Sequence, residues 1–87
     1  MRHADTAALD QLEDLLAAIR TLRDLKERSR GVFYRRSKSF LHFHDDPAGL
    51  FADLRRGSDF ERYKVSSAAE RQQFLDVVRK ELGGGAS

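Results

Sequence analysis

The chain has 87 residues, a formal net charge of +2 and 34% charged residues, which is the composition of one small globular domain. It contains no cysteine, which excludes disulfides, thiolate catalysis and cysteine-ligated zinc or iron–sulfur sites. No apolar run approaches the roughly 18 residues of a membrane span, and no export signal is visible, so we expect a cytoplasmic protein without membrane contact.

The first predicted element is an amphipathic helix that begins near Thr6. Asp5 or Thr6 is its predicted N-cap, the polar residues before it are expected to fray, and Gly31 fits the exit into the first strand. We also considered a coiled-coil seam for a partner helix, but the repeat spans barely two heptads, so core packing is favoured. The apolar residues recur at three- and four-residue steps, as Leu9, Leu12, Leu15, Leu16, Ile19 and Leu22.

Four strands are predicted next, at residues 32–35, 40–44, 49–55 and 60–65. The hairpin between the second and third strands has the strongest signal. Asp46-Pro47-Ala48-Gly49 places Asp, Pro and Gly at the first, second and fourth positions of a type I turn. If residues 45–48 form a four-residue loop, His42 faces Phe51 across the hairpin.

Alternation along these strands predicts two different faces of the sheet. In the last strand Tyr63 and Val65 are expected to point inward, whereas in the first the pattern does not decide between Phe33 and its neighbours Val32 and Tyr34. The apolar face carries Leu41, Phe43, Leu50, Ala52 and Leu54. The opposite face, which we call the open face, carries Phe40, His42, His44, Phe51, Asp53, Arg55, Phe60 and Arg62.

A second helix is predicted to follow the sheet. Ser67 and Glu70 have the spacing of a capping box, and Phe74, Leu75, Val78 and Leu82 form a buried stripe. Residues 83–87 are expected to be a flexible glycine-rich tail after a single domain at residues 1–82. The predicted fold is α+β, a two-layer sandwich with a four-stranded antiparallel meander and both helices on one face.

Two histidines and an aspartate on the open face could hold a metal ion or form a catalytic pair. In a strand, His42 and His44 point the same way, and the predicted register places Asp53 opposite Phe40 and diagonal to His42. Such a set suits a metal facial triad or a base with its orienting acid. The alternative, which we favour, is that the imidazoles fill a half-buried sheet face, with His42 stacked on Phe51. We therefore predict no metal and no cofactor. Whether the protein is an enzyme is left open by the sequence, with a non-enzymatic role favoured.

The open face is instead predicted to bind a partner. Aromatic and basic side chains alternate on it, and a second copy of the chain could cover it as a homodimer; another protein partner would do the same. The alternative is that this face binds a small molecule or an anion. A third hypothesis is that it binds single-stranded nucleic acid. A basic block supports the anion site, with Arg30, Arg35, Arg36 and Lys38 as candidate ligands.

Residues 30–56 resemble a group of short uncharacterised bacterial proteins of actinobacterial type. The shared residues are Phe40, His42, Phe43, His44, the acidic turn Asp45-Asp46, and Asp53 with Arg55. More loosely, the chain is similar to YjbR-like domains and to the bacterial "luciferase-domain" family of unknown role. The resemblance implies no catalytic residues, and because this chain is shorter than a usual YjbR-like domain, it implies that a second subunit supplies a missing element.

The predicted order of elements also resembles the double-stranded-RNA-binding fold. Two departures count against that resemblance. The second helix begins Ala68-Ala69-Glu70-Arg71 without the lysine cluster of such domains, and the first hairpin turn lacks their histidine.

Overall fold

A computed structural model describes residues 2–83, and within that range three helices pack against one antiparallel sheet. The helices are α1 Thr6–Gln11, α2 Glu13–Arg20 and α3 Ala68–Gly83; the strands are β1 Arg2–His3, β2 Leu25–Ser29, β3 Val32–Arg35, β4 Lys38–Asp46, β5 Gly49–Arg56 and β6 Asp59–Lys64. The α+β class, the antiparallel sheet and the terminal helices are confirmed. The predicted number of four strands is wrong, since β1 and β2 were not foreseen.

The N-terminal helix is shorter than predicted and is broken in two. Asp5 caps it by accepting a hydrogen bond from the Ala8 amide at 2.9 Å. The chain leaves helical geometry at Leu12, with φ −96° and ψ 4°, and α2 then starts at Glu13. Both pieces still bury the predicted leucine stripe, so the break does not change the face that is buried.

The sheet has the strand order β2-β3-β4-β5-β6. Strand β1 lies beside the end of β4 that β3 does not reach, and pairs Arg2 with Asp45 and His3 with His44. The first residues of the described range are therefore part of the sheet and are not frayed. No helix in this range is long and apolar enough to cross a membrane.

The β4–β5 hairpin has the predicted turn residues but a shorter loop. Asp46 pairs with Gly49, so only Pro47 and Ala48 lie between the strands, and the Asp46 carboxylate accepts a hydrogen bond from the Ala48 amide at 2.9 Å. The predicted register is thus wrong by two residues. Because side chains alternate with period two, a shift of two by itself moves no side chain to the other face.

The core lies between the apolar face of the sheet and the three helices. Phe33 is the buried residue of β3, which settles the direction that the sequence left open. The sheet contributes Phe33, Phe40, Leu41, Phe43, Leu50, Ala52, Leu54 and the adjoining Val65; the helices contribute Ala8, Leu9, Leu12, Leu15, Leu16, Ile19, Phe74, Leu75 and Val78.

Phe40 is the one residue of the predicted open face that lies in the core. Phe33 pairs with Leu41 and Tyr34 pairs with Ser39, so Phe40 is an extra residue in β4 without a partner in β3. Such a bulge interrupts the alternation of side chains. Phe40 is only 3% exposed and packs with the core cluster, so its predicted place on the open face is wrong.

The capping box of the last helix is confirmed. The Glu70 amide donates to the Ser67 hydroxyl at 3.1 Å, and the Glu70 carboxylate accepts from the amides of Ser66 and Ser67, each at 2.9 Å. The helix continues to Gly83, one residue beyond the predicted domain boundary. The remainder of the predicted tail, residues 84–87, lies outside the described residues.

Candidate functional site

All three histidines of the chain meet on the open face. His42 and His44 point there from β4, and β1 brings His3 beside them. The ring centroids are 5.0 Å apart for His42 and His44, 5.2 Å for His3 and His44, and 5.8 Å for His3 and His42. Both β4 imidazoles are largely buried, whereas His3 is exposed.

Asp53 is the carboxylate of this cluster. It pairs directly with His42 across β4 and β5 and with Arg62 across β5 and β6, and it is only 7% exposed. Its Oδ2 lies 2.9 Å from His44 Nε2. Arg62 donates from Nε to Oδ1 at 2.8 Å and from Nη2 to Oδ2 at 3.0 Å. The sequence pattern placed Asp53 on the correct face, but opposite Phe40 instead of His42.

The environment sets the charge of the two central groups. Burial lowers the pKa of His42 and outweighs the Asp53 carboxylate, which by itself would raise it. Burial alone would raise the pKa of Asp53, but the hydrogen bonds from Arg62 and the proximity of His44 outweigh burial and hold that pKa below its ordinary value. At neutral pH the site therefore holds a neutral His42 and an ionised Asp53.

His42, His44 and Asp53 are spaced as ligands of one ion would be. One ligand atom of each lies within 4.8 Å of the other two. His42 Nδ1 is buried without a hydrogen-bond partner, and it lies 3.9 Å from Asp53 Oδ2, which is too long for a hydrogen bond. Two atoms bound tetrahedrally to one metal at about 2.0–2.1 Å lie roughly 3.3–3.4 Å apart, so a small side-chain movement would bring this pair onto a shared ion.

Phe60 and Arg55 border the cluster. The Phe60 ring packs against His42 with centroids 5.0 Å apart, and the Arg55 guanidinium lies 4.6 Å from the centre of the same ring. Phe51, which was predicted to stack on His42, pairs with His44 instead. Asp53 therefore joins three of the predicted open-face residues into one cluster, namely His42, His44 and Arg62. Phe40 is not part of this cluster.

The basic block divides into two parts. Arg30 is held by carboxylates, because its guanidinium donates to Asp10 at 2.8 Å and to Glu13 at 2.7 Å. Arg35, Arg36 and Lys38 lie together at the β3–β4 turn, on the wall of a cavity. The structure therefore separates one of the four predicted anion ligands from the other three.

The part of the site that sequence reasoning missed is His3. A two-residue strand has no periodicity to detect, and a polar N-terminal segment normally frays. The one available signal was that the chain contains only three histidines, of which two already shared a strand face.

Comparison of the chain with protein-family models, with curated proteins and with solved structures gives no match. The resemblance to bacterial families stated above therefore stays a prediction, and function has to be argued from the site.

Proposed function

We propose that the protein is a non-enzymatic binding module whose open face takes up one divalent first-row transition metal ion through His42, His44 and Asp53. The observation that carries this proposal is the buried His42 Nδ1, which has no hydrogen-bond partner and faces the Asp53 carboxylate across 3.9 Å. Imidazole and carboxylate ligands suit Zn²⁺, Ni²⁺, Cu²⁺ and Fe²⁺. This revises our sequence-based preference for a site without metal.

The protonation states support binding. A metal ion needs a neutral imidazole and an ionised carboxylate. The lowered pKa of His42 and the lowered pKa of Asp53 provide both at neutral pH. At pH 7 these two groups therefore have few protons to release when the ion binds, and deprotonation does little to oppose binding.

Arg62 competes with the ion for Asp53. Its Nη2 donates to Oδ2, the same oxygen that faces the two imidazoles, while its Nε donates to Oδ1. Arg62 is 49% exposed, so it can release Oδ2 to the ion and keep Oδ1. Its positive charge still opposes a second cation nearby. Removing this charge should therefore strengthen metal binding. If the ion pair between Arg62 and Asp53 had only a structural role, its removal would make the protein less stable without strengthening metal binding.

Calorimetric titration of the untagged protein with Zn²⁺ tests the proposal. We expect one ion per chain and a loss of affinity of at least about tenfold in His42→Ala and in His44→Ala, because each removes a ligand. Arg62→Gln should bind more tightly than the wild type. His3→Ala is the matched control, since it removes an imidazole from the same cluster but not from the three-residue ligand group.

Imidazole ¹⁵N spectra add a readout by atom. Zn²⁺ should shift His42 Nδ1 and His44 Nε2, the nitrogens that face Asp53. The proposal is wrong if a His42→Ala/His44→Ala double variant that unfolds cooperatively binds as well as the wild type, or if His3→Ala is the variant that loses the ion.

Self-association through the open face is the second candidate function. Within residues 2–83, Phe60 is the one large apolar side chain that is exposed, at 38%, and it lies on this face beside His42. A twofold dimer would pair the face with itself, and three protein ligands leave a coordination position that a second copy can fill. Sedimentation velocity at high micromolar concentration, with and without Zn²⁺, should show a dimer that Phe60→Ala disrupts. A monomer in both conditions removes this candidate.

A further inference from the structure

A cavity at the far end of the sheet has four basic side chains among its nine lining residues. It lies where the β3–β4 and β5–β6 turns meet the last turn of α3, and its volume is about 410 Å³, which falls within the range of small-molecule sites. The wall carries Arg35, Arg36, Ser37, Lys38, Ser39, Phe40, Arg55, Gly57 and Glu81.

The four cations of this wall are not neutralised by carboxylates. Among residues 2–83, none of Arg35, Arg36, Lys38 and Arg55 has an acidic partner within 4.0 Å. The one acidic side chain of the wall, Glu81, accepts a hydrogen bond from Arg56. The wall therefore has a net positive charge, unlike the surroundings of Arg30, where two carboxylates balance one guanidinium.

Two of the guanidinium groups are held in place by contacts other than ion pairs. Arg55 donates from Nε to the Ser39 carbonyl oxygen at 2.6 Å and lies over Phe60. Arg35 lies 5.8 Å from the centre of the Phe40 ring, and its buried Nε has no hydrogen-bond partner. Groups that are already positioned lose little freedom when an anion binds, which favours affinity.

Arg36 has a backbone conformation that an arginine normally avoids. Its φ is 60°, in the left-handed region where glycine and asparagine are much less strained. The tight turn between β3 and β4 requires such a residue. Strain of this kind is often retained at functional sites, and Arg36 lies on the wall of the cavity.

We propose that this cavity binds the phosphate group of a small phosphorylated molecule. Guanidinium groups match phosphate oxygens in bidentate geometry, and the hydroxyls of Ser37 and Ser39 add donors. The volume leaves room for an organic part beside the phosphate. Because the cations converge on one cavity and do not follow a groove, a small ligand fits better than a nucleic-acid strand.

NMR titration with inorganic phosphate and with adenosine monophosphate tests the proposal, with the guanidinium Nε–Hε signals of Arg35 and Arg55 as reporters. We expect saturable binding of one ligand per chain, with a dissociation constant below about 1 mM at low salt. The mononucleotide should bind more tightly than phosphate alone. A twelve-nucleotide single strand is added as a third probe, and tighter binding per phosphate by that strand would overturn the proposal.

Charge-removing variants locate the ligand. Arg36→Asn and Arg55→Gln should each weaken binding about tenfold or more. Arg30→Gln is the matched control: it also removes one charge from the basic block but lies outside the cavity, so it should leave affinity unchanged. Equal losses in all three variants would show a nonspecific effect of net charge and refute the site.

Arg36→Asn also separates function from structure. Asparagine tolerates the left-handed conformation better than arginine does, so this variant should raise the thermal unfolding midpoint while it loses affinity. A variant that gains stability and keeps its affinity would show that Arg36 does not contact the ligand, and would overturn its assignment.

Discussion

Replacing Asp53 with asparagine tests the network at the centre of the open face. The asparagine side chain would keep the shape of the aspartate but lose its negative charge. The aspartate carboxylate accepts two hydrogen bonds from Arg62 and lies in contact with His44. Hydrogen bonds to a charged group contribute about 1.5–3 kcal/mol each. Because Arg62 is 49% exposed, water replaces much of what it loses. We therefore expect a total destabilisation of only about 2–3 kcal/mol, or a fall in Tm of about 10–20 °C.

The dependence on pH follows from the lowered pKa of Asp53. A carboxyl whose pKa is lower in the folded state stabilises that state above its unfolded pKa, about 3.9, and loses this contribution as the pH falls through the folded value. The difference between the wild type and Asp53→Asn should therefore be largest at neutral pH and shrink in acid.

Urea unfolding of the metal-free protein at a series of pH values measures both effects. Asp59→Asn is the matched control, since Asp59 is exposed on β6 and accepts no side-chain hydrogen bond within residues 2–83; it should change stability by less than about 0.5 kcal/mol. The reasoning fails if Asp53→Asn is as stable as Asp59→Asn at pH 7, or if the difference persists unchanged at pH 2.

Two further pairs of variants test the fold that positions the site. Gly49→Ala should destabilise the folded state by about 3 kcal/mol, because φ is +136° and the added Cβ would lie 2.3 Å from the Ser66 hydroxyl. Gly57→Ala is the matched control: φ is +69° and the added Cβ meets open space, so it should cost only about 1 kcal/mol. Similar costs in urea unfolding would contradict this. Phe40→Ala should cost about 3–5 kcal/mol and the exposed Phe60→Ala less than about 1; the reverse order would show that the bulge is misplaced.

The faces of the sheet could be predicted from the sequence even though the hairpin register could not. Asp46 to Gly49 marks the turn, but turn residues do not state how far pairing continues toward it. Gly49 pairs with Asp46 and not with His44 as expected, so the pairing of β4 continues two residues closer to the turn. Since alternation has period two, the error did not move any side chain to the other face.

The bulge at Phe40 and the strand β2 lie beyond what local patterns show. A bulge depends on how two strands meet, and nothing in the residues around Phe40 marks it. The sequence of β2, Leu25-Lys26-Glu27-Arg28-Ser29, has only one apolar residue. No glycine separates this strand from the helix before it. It is held by its pairing with β3 and by Glu27, which accepts hydrogen bonds from Arg20 and from the Gly31 amide.

The candidate site was predictable only in part for the same reason. His42 and His44 share a face by their spacing alone, and the hairpin brought Asp53 to that face. His3 joins the cluster through a strand pairing at long sequence distance. Arg62, which was predicted on the open face, reaches Asp53 across the neighbouring β5–β6 hairpin. Arg30 could not be distinguished from Arg35 and Arg36 in the sequence, because its partners lie on the first helices.

The pairing of β1 with β4 has a practical consequence for anyone who purifies this protein. Because Arg2 pairs with Asp45, next to the pair of His3 with His44, a polyhistidine tag fused to the N-terminus would supply competing imidazoles at high local concentration near the cluster. Binding measurements on the open face should therefore use protein from which such a tag has been cleaved.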